Sequence, residues 1–189
     1  MKPGGHLATA AALSGVGYAV TGSLGLAAGC FAGGFLIDSD HYLDYLVFDG
    51  QWRHPSPTAF LRYAFTYRYK RLVQPLHSVE LLAVLGLLAV TWPHPALVGY
   101  ILGSLLHLSL DILVNGEHIL RQPVLFYCFF YRARRRFAAD RLVGRLVLPP
   151  GAGQAPVREF FTWRLRAWPV DGEPDEQAHV SERTTARNK

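Results

Sequence analysis

The chain has 189 residues, which is long enough for one domain with a substantial core, and its net charge is +5. Half of its residues are hydrophobic and only 17% are charged, against roughly 25% in soluble domains. Residues 3–36 and 81–110 contain no Asp, Glu, Lys or Arg, which argues against a soluble domain. The two isolated cysteines give no indication of a disulfide framework. The composition predicts a small polytopic membrane protein of the all-α class.

The apolar segments predict four membrane helices. Residues 7–37 are too long for one crossing, which needs about 20 residues, and "VTGSLG" at 20–25 divides them into helices over about 6–20 and 23–40. Residues 78–92 predict a third helix, which "PHP" at 93–95 ends, and residues 96–114 predict a fourth. Because the first two helices are rich in Gly, Ala and Ser, we expect a tightly packed bundle with amphipathic segments at the interface.

Basic residues predict the orientation of this bundle. They lie at Lys2, in the 51–75 loop and after Arg121, whereas the turns at 20–25 and 92–95 carry none. The positive-inside rule then predicts a multi-pass protein of the inner (plasma) membrane with both termini cytoplasmic. "YRARRRF" at 131–137 mixes basic and aromatic residues, and beside a membrane bundle we expect it to bind membrane lipid rather than a specific nucleic-acid sequence.

Two regions follow from the change in composition. Residues 1–148 form the predicted membrane-embedded helical domain, which carries the polar clusters described next. Residues 149–189 form a polar cytoplasmic tail that is rich in Pro, Gly and charge. We expect the tail to be disordered from about residue 171, because it has no apolar periodicity there.

Four polar clusters interrupt the apolar segments, and all of them fall at one end of the predicted bundle. One precedes the first helix, "DSDH" ends the second, "HS" begins the third, and "HLSLD" lies in the last third of the fourth. In an up-down-up-down bundle these ends meet at the cytoplasmic face. The predicted cluster contains His6, Asp38, Asp40, His41, His77, His107 and Asp111.

The spacing and chemistry of these residues predict a metal site. His107 and Asp111 are four residues apart and Asp38 and His41 are three apart, so each pair shares a helix face. Asp38 and Asp40 can reach one site only if the second helix ends or distorts there. Carboxylates and imidazoles without thiolates favour a divalent metal such as Zn²⁺, Mn²⁺ or iron. The donors suffice for two or three ions, which would activate water for phosphoester hydrolysis.

The ordered motifs over about residues 1–126 resemble the YdjM-like family of membrane-bound metal-dependent hydrolases, also described as LexA-binding, inner membrane-associated hydrolases. That family is similar in turn to zinc-dependent phospholipase C and P1 nuclease, which hold three zinc ions in a helical bundle. The resemblance implies that all seven clustered residues are metal ligands. Two departures concern the substrate: Ile37 stands where the family often has Pro, and "RLVQPLHS" lacks a family His and Thr.

The sequence leaves three functions open. The first is a hydrolase of phosphoesters, with lipid headgroups as the expected substrate and Asp38 or Asp40 bridging metals or orienting the attacking water. The second is a non-enzymatic membrane adaptor whose polar cluster is structural. The third is a transporter or channel subunit whose Asp and His residues carry ions. Single residues also have structural alternatives, since Ser78 beside His77 could simply cap a helix.

Overall fold

The computed structural model describes residues 3–144, 148 and 151–161, apart from the side chains of 115–119. This part of the chain is helical and contains two isolated β-bridges but no strand, which confirms the all-α class. A 3₁₀ turn (Leu36–Asp38) and a π-helical turn (Asp44–Phe48) accompany the α-helices. In chain order these are α1 (Pro3–Thr21), α2 (Leu24–Gly34), α3 (Ser39–Leu43), α4 (Pro57–Phe65), α5 (Val79–Thr91), α6 (Pro95–Ile119), α7 (Pro123–Phe126), α8 (Phe129–Arg134), α9 (Ala139–Leu142) and α10 (Pro156–Phe161).

One helix among the described residues is long and apolar enough to cross a membrane. It is the Pro95–Val114 part of α6, of which 33% is buried within the protein. The apolar helices α2 and α5 are shorter, at 11 and 13 residues. The prediction of four crossings therefore stays a prediction beyond this one candidate.

The second predicted helix, over 23–40, is shorter in the structure. Ser23 caps α2 by accepting a hydrogen bond from the Leu26 amide at 3.2 Å. The helix ends at Gly34, after two successive glycines, which are weak helix formers. Phe35 then leaves helical geometry, and the 3₁₀ turn, α3 and the π-helical turn follow. This break separates the "DSDH" residues from the apolar part of α2.

Glycines allow α2 and α6 to pack backbone against backbone. Gly29 and Gly33 on α2 lie against the backbone of α6, and Gly99 and Gly103 on α6 lie against the backbone of α2. Each helix thus carries one small-xxx-small pattern. A Cβ atom added at Gly33 would meet the Tyr100 carbonyl oxygen and lie 2.8 Å from the Ser104 amide nitrogen. One added at Gly103 would lie 2.7 Å from the Gly34 amide nitrogen. Hydrogen is thus the only side chain that this interface accommodates at these positions.

The outer surface of the bundle is apolar. Leu82 is the one buried residue of α5, while Val84, Leu87 and Val90 are exposed along that helix. Helix α6 also exposes Leu102, Leu105 and Leu113. Exposed apolar side chains along two neighbouring helices are costly in water and suit contact with lipid.

The segments that follow α6 close one end of the bundle. Leu72, Leu82 and Leu108 form a buried cluster with Phe126, Tyr127 and Leu142. Part of the predicted tail is also ordered, because α10 packs against α1 and α4, and the Phe160 carbonyl leaves no room for a Cβ at Gly4. The predicted disorder from residue 171 lies outside the described residues.

Candidate metal centre

The structure brings the seven predicted site residues together at one end of the bundle, and the Asp38 carboxylate lies among three histidines. Asp38 Oδ1 is 3.4 Å from Nε2 of both His77 and His107. His41 Nε2 lies 3.6 Å from the same oxygen. The two nitrogens of His77 and His107 are themselves 3.1 Å apart. Residues from α3, from the loop before α5 and from α6 therefore converge on one point.

Hydrogen bonds on the far side of the rings fix which nitrogens face this point. His107 Nδ1 donates to the Gly34 carbonyl oxygen at 2.9 Å, so the end of α2 holds this ring. His77 Nδ1 donates to the Asp40 carboxylate at 3.0 Å. A neutral imidazole with a donating Nδ1 carries its lone pair on Nε2. When neutral, each ring therefore presents its Nε2 lone pair on the side of Asp38, as histidine ligands do in metal sites.

His41 is oriented by the side chain of Gln74. The Gln74 amide nitrogen lies 3.0 Å from His41 Nδ1, and the Gln74 amide oxygen is buried without a partner. A neutral His41 that accepts this hydrogen bond at Nδ1 carries its proton on Nε2, which lies 3.6 Å from Asp38 Oδ1. A cation that binds His41 Nε2 must therefore displace this proton.

A second group lies on the other side of His107. His6 Nε2 is 2.9 Å from Asp111 Oδ1, and His107 Nε2 is 3.3 Å from Asp111 Oδ2. The rings of His6 and His107 stack with their centroids 3.8 Å apart. His6 Nδ1 is buried without a hydrogen-bond partner. This orphaned nitrogen is a further donor for a cation.

The separations between donor atoms fit a divalent metal. Ligands at about 2.1 Å in a tetrahedron lie about 3.4 Å from one another, which matches the 3.1 Å to 3.6 Å separations around Asp38. Two groups of three donors could each hold an ion, namely His6 with His107 and Asp111, and Asp38 with His41 and His77. The structure thus contains buried His/Asp clusters that could hold a metal ion, as the sequence predicted.

Asp40, also a predicted ligand, lies behind His77 rather than beside Asp38. Its carboxylate accepts the amides of Leu76 and His77 at 3.0 Å and 3.3 Å as well as the His77 Nδ1 proton. With these three hydrogen bonds, both carboxylate oxygens of Asp40 are engaged by the loop before α5. In this position Asp40 orients His77 and increases the basicity of its Nε2.

Asp40 belongs to a row of buried aspartates that hold one loop. Asp44 accepts hydrogen bonds from the backbone amides of Val73 and Gln74. Asp49 accepts hydrogen bonds from the backbone amides of Lys70 and Arg71. The π-helical turn carries the bond from the Asp49 amide to the Asp44 carbonyl at 2.9 Å. By adding a residue to the turn, it keeps Asp49 on the side of Asp40 and Asp44. We call these three residues the aspartate row.

Arg132 holds the same loop by donating hydrogen bonds to the carbonyl groups of the loop. Sequence analysis missed this role. Its buried guanidinium donates to the carbonyl oxygens of His77 and Gln74 at 2.9 Å and 3.0 Å. It lies within "YRARRRF", which was expected to face lipid as a whole. In the sequence, Arg132 differs from Arg135 and Arg136 only in lying one helical turn before them. This position gives no local sign that Arg132 is buried.

The charges of the cluster are strongly coupled. Burial acts to lower the pKa of His77, but the carboxylates of Asp40 and Asp38 outweigh it and raise the pKa to about 9. Burial acts to raise the pKa of Asp38, yet His107 and His77 hold it well below its usual value. Burial also raises the pKa of Asp44 to about 7, against its two amide hydrogen bonds. A cation that binds these groups must therefore displace protons.

Metal affinity should consequently depend on pH. A cation binds neutral imidazole, so binding must remove the proton that His77 carries below its pKa of about 9. We expect the apparent affinity for zinc to rise about tenfold per pH unit between pH 6 and 8. Competition with a chromophoric chelator across this range measures it. An affinity that does not change with pH would contradict the assigned charge of His77.

Comparisons with protein families, with curated proteins and with solved structures found no match to this chain.

Proposed function

We propose that this chain is an integral membrane hydrolase whose His/Asp centre binds divalent metal and cleaves phosphoester bonds of lipid headgroups at the cytoplasmic face. The observation that carries the proposal is the arrangement around Asp38. Three imidazoles direct Nε2 toward one carboxylate oxygen, and each ring has its Nδ1 held by another group. A merely structural polar cluster has no need of three rings oriented in this way.

The protein itself supplies rigid support to this centre. The aspartate row and Arg132 use the amides and carbonyls of the 70–77 loop, so His77 is fixed from both sides of its backbone. Gly34 fixes His107 from α2. When bound, divalent metal would lower the pKa of a water molecule and stabilise negative charge on the phosphoester.

The exposure of two residues of the centre supports a lipid substrate. Asp38 and His41 are the partly exposed members of the centre, with side chains 24% and 31% exposed. Leu36 and Leu43 flank them in sequence and are exposed apolar residues. A headgroup entering beside these side chains could keep its acyl chains in an apolar environment. Asp38 is thus the candidate to orient an attacking water, while Asp40 acts through His77.

The proposal is tested on full-length protein purified in detergent. Elemental analysis should find about two divalent ions per chain, and phospholipids in mixed micelles should lose their headgroups. A chelator should abolish this activity, and zinc or manganese should restore it. Protein without metal, whose stability is unchanged by chelation, would favour a membrane adaptor. Ion flux through reconstituted liposomes would instead favour a transporter or channel subunit.

A further inference from the structure

A second polar feature lies outside the metal centre, in the segment that follows α6. A concavity of about 700 Å³ is lined by Tyr131 and Arg134 of α8, by Arg135 directly after that helix, and by Arg141 of α9. We call it the arginine pocket. Its size is within the roughly 300–1,000 Å³ of small-ligand sites, and none of the metal-centre residues lines it.

The chain reverses direction to form this pocket. Arg136 and Phe137 both adopt left-handed backbone conformations, with φ of 58° and 56°. The Phe137 amide donates to the Arg132 carbonyl at 2.8 Å, and the Leu72 amide donates to the Phe137 carbonyl at 2.9 Å. Successive non-glycine residues in this conformation are uncommon and cost free energy. The turn brings Arg141 to the arginines of α8.

The pocket concentrates uncompensated positive charge. Arg134, Arg135 and Arg141 are exposed, and within the described part of the chain the ion pairs join histidines to aspartates rather than any of these arginines to a carboxylate. Asp140, next to Arg141 in sequence, is the nearest acidic residue along the chain. The guanidinium of Arg135 lies 5.4 Å from the centre of the Tyr131 ring, which holds it in place. Arginine forks of this kind match the oxygens of a phosphate group.

Exposed apolar side chains next to the pocket indicate where that phosphate comes from. Val124, Leu125 and Phe130 on α7 and α8 are 69%, 48% and 71% exposed. Phe130 precedes Arg134 by four residues, so both lie on one face of α8. An apolar side chain beside a cationic one is the pattern of a surface that lies at the headgroup boundary of a bilayer.

We infer that the arginine pocket binds the phosphate of an anionic phospholipid headgroup and fixes this end of the protein to the membrane surface. Phe130, Val124 and Leu125 enter the acyl boundary, while the three guanidinium groups hold the phosphate. The pocket uses no metal ligand. If the following test shows that the arginine pocket does not bind lipid phosphate, the proposed metal centre and hydrolysis are therefore unaffected.

The experiment uses full-length protein in detergent, titrated with short-chain phosphatidylglycerol or phosphatidylcholine and followed by native mass spectrometry. Wild type should bind phosphatidylglycerol at least tenfold more tightly than phosphatidylcholine. The variant Arg134→Gln/Arg135→Gln/Arg141→Gln should lose that preference. The variant Arg53→Gln/Arg62→Gln/Arg68→Gln is a matched control, because it removes the same charge from three exposed arginines elsewhere and should keep the preference.

Several results would overturn the inference. One is equal binding of both lipids by wild type, and another is an unchanged preference in the pocket variant. Full competition by inorganic phosphate at the concentration of the lipid would assign the pocket to a soluble anion, and displacement by a short DNA duplex would assign it to nucleic acid. The single variants Arg134→Gln and Arg141→Gln give the same comparison if the triple variant is unstable, with each expected to reduce lipid binding several-fold.

Discussion

Asp38→Asn should lower the affinity of the purified protein for zinc by at least about 100-fold. The substitution keeps the size of the side chain but removes the charge from the oxygen that lies within 3.6 Å of three imidazole nitrogens. No other carboxylate reaches all three rings at such distances among the described residues. Elemental analysis of the purified variant and competition with a chelator give the bound metal and the affinity.

Asp140→Asn is the matched control, because Asp140 is exposed on α9 and the same substitution there should leave bound metal unchanged. The double variant of Asp38→Asn with His107→Ala provides a further check. If both residues hold one centre, the double variant should lose little more metal than the worse single variant. Additive losses of stability with wild-type metal content would mean that the two residues have separate structural roles.

Gly33→Ala should destabilise the bundle by about 1–3 kcal/mol or more, because its new methyl group overlaps the backbone of α6. A Cβ there would lie 2.8 Å from both the amide nitrogen and the side-chain oxygen of Ser104. The Ser104 amide and the Tyr100 carbonyl, which the new methyl group also meets, belong to the helix backbone and cannot rotate away, so α2 and α6 must separate. Thermal unfolding in detergent measures the effect as a lower midpoint temperature.

The same substitution should weaken metal binding, because Gly34 next to it fixes His107 through its carbonyl oxygen. Gly86→Ala is the control. No atom lies within 4 Å of a Cβ at Gly86 in α5, and alanine there should be neutral or stabilising by up to about 1 kcal/mol. Equal destabilisation by the two variants would show that helix propensity, rather than close packing of α2 on α6, determines the effect.

Several features could be predicted because they depend on local spacing. The long uncharged apolar segments are sufficient for the all-α class, and "PHP" separates α5 from α6 as expected, since proline disfavours helix before it. The four-residue spacing of His107 and Asp111 places them one turn apart, and they lie 3.3 Å from each other. The possibility that the second helix distorts near Asp38 was also visible, because Asp38 and Asp40 cannot share a face of a regular helix.

What the sequence by itself determined is therefore the helical class, the approximate helices and the set of donor residues with their spacing within each helix. The tertiary structure alone decided that Asp40 supports His77 and that Arg132 is buried within a basic stretch. The physical reason is that these outcomes depend on contacts between distant segments. His6 meets Asp111 across 105 residues and Arg132 meets the His77 carbonyl across 55, so no local spacing in the sequence places these groups within hydrogen-bonding distance.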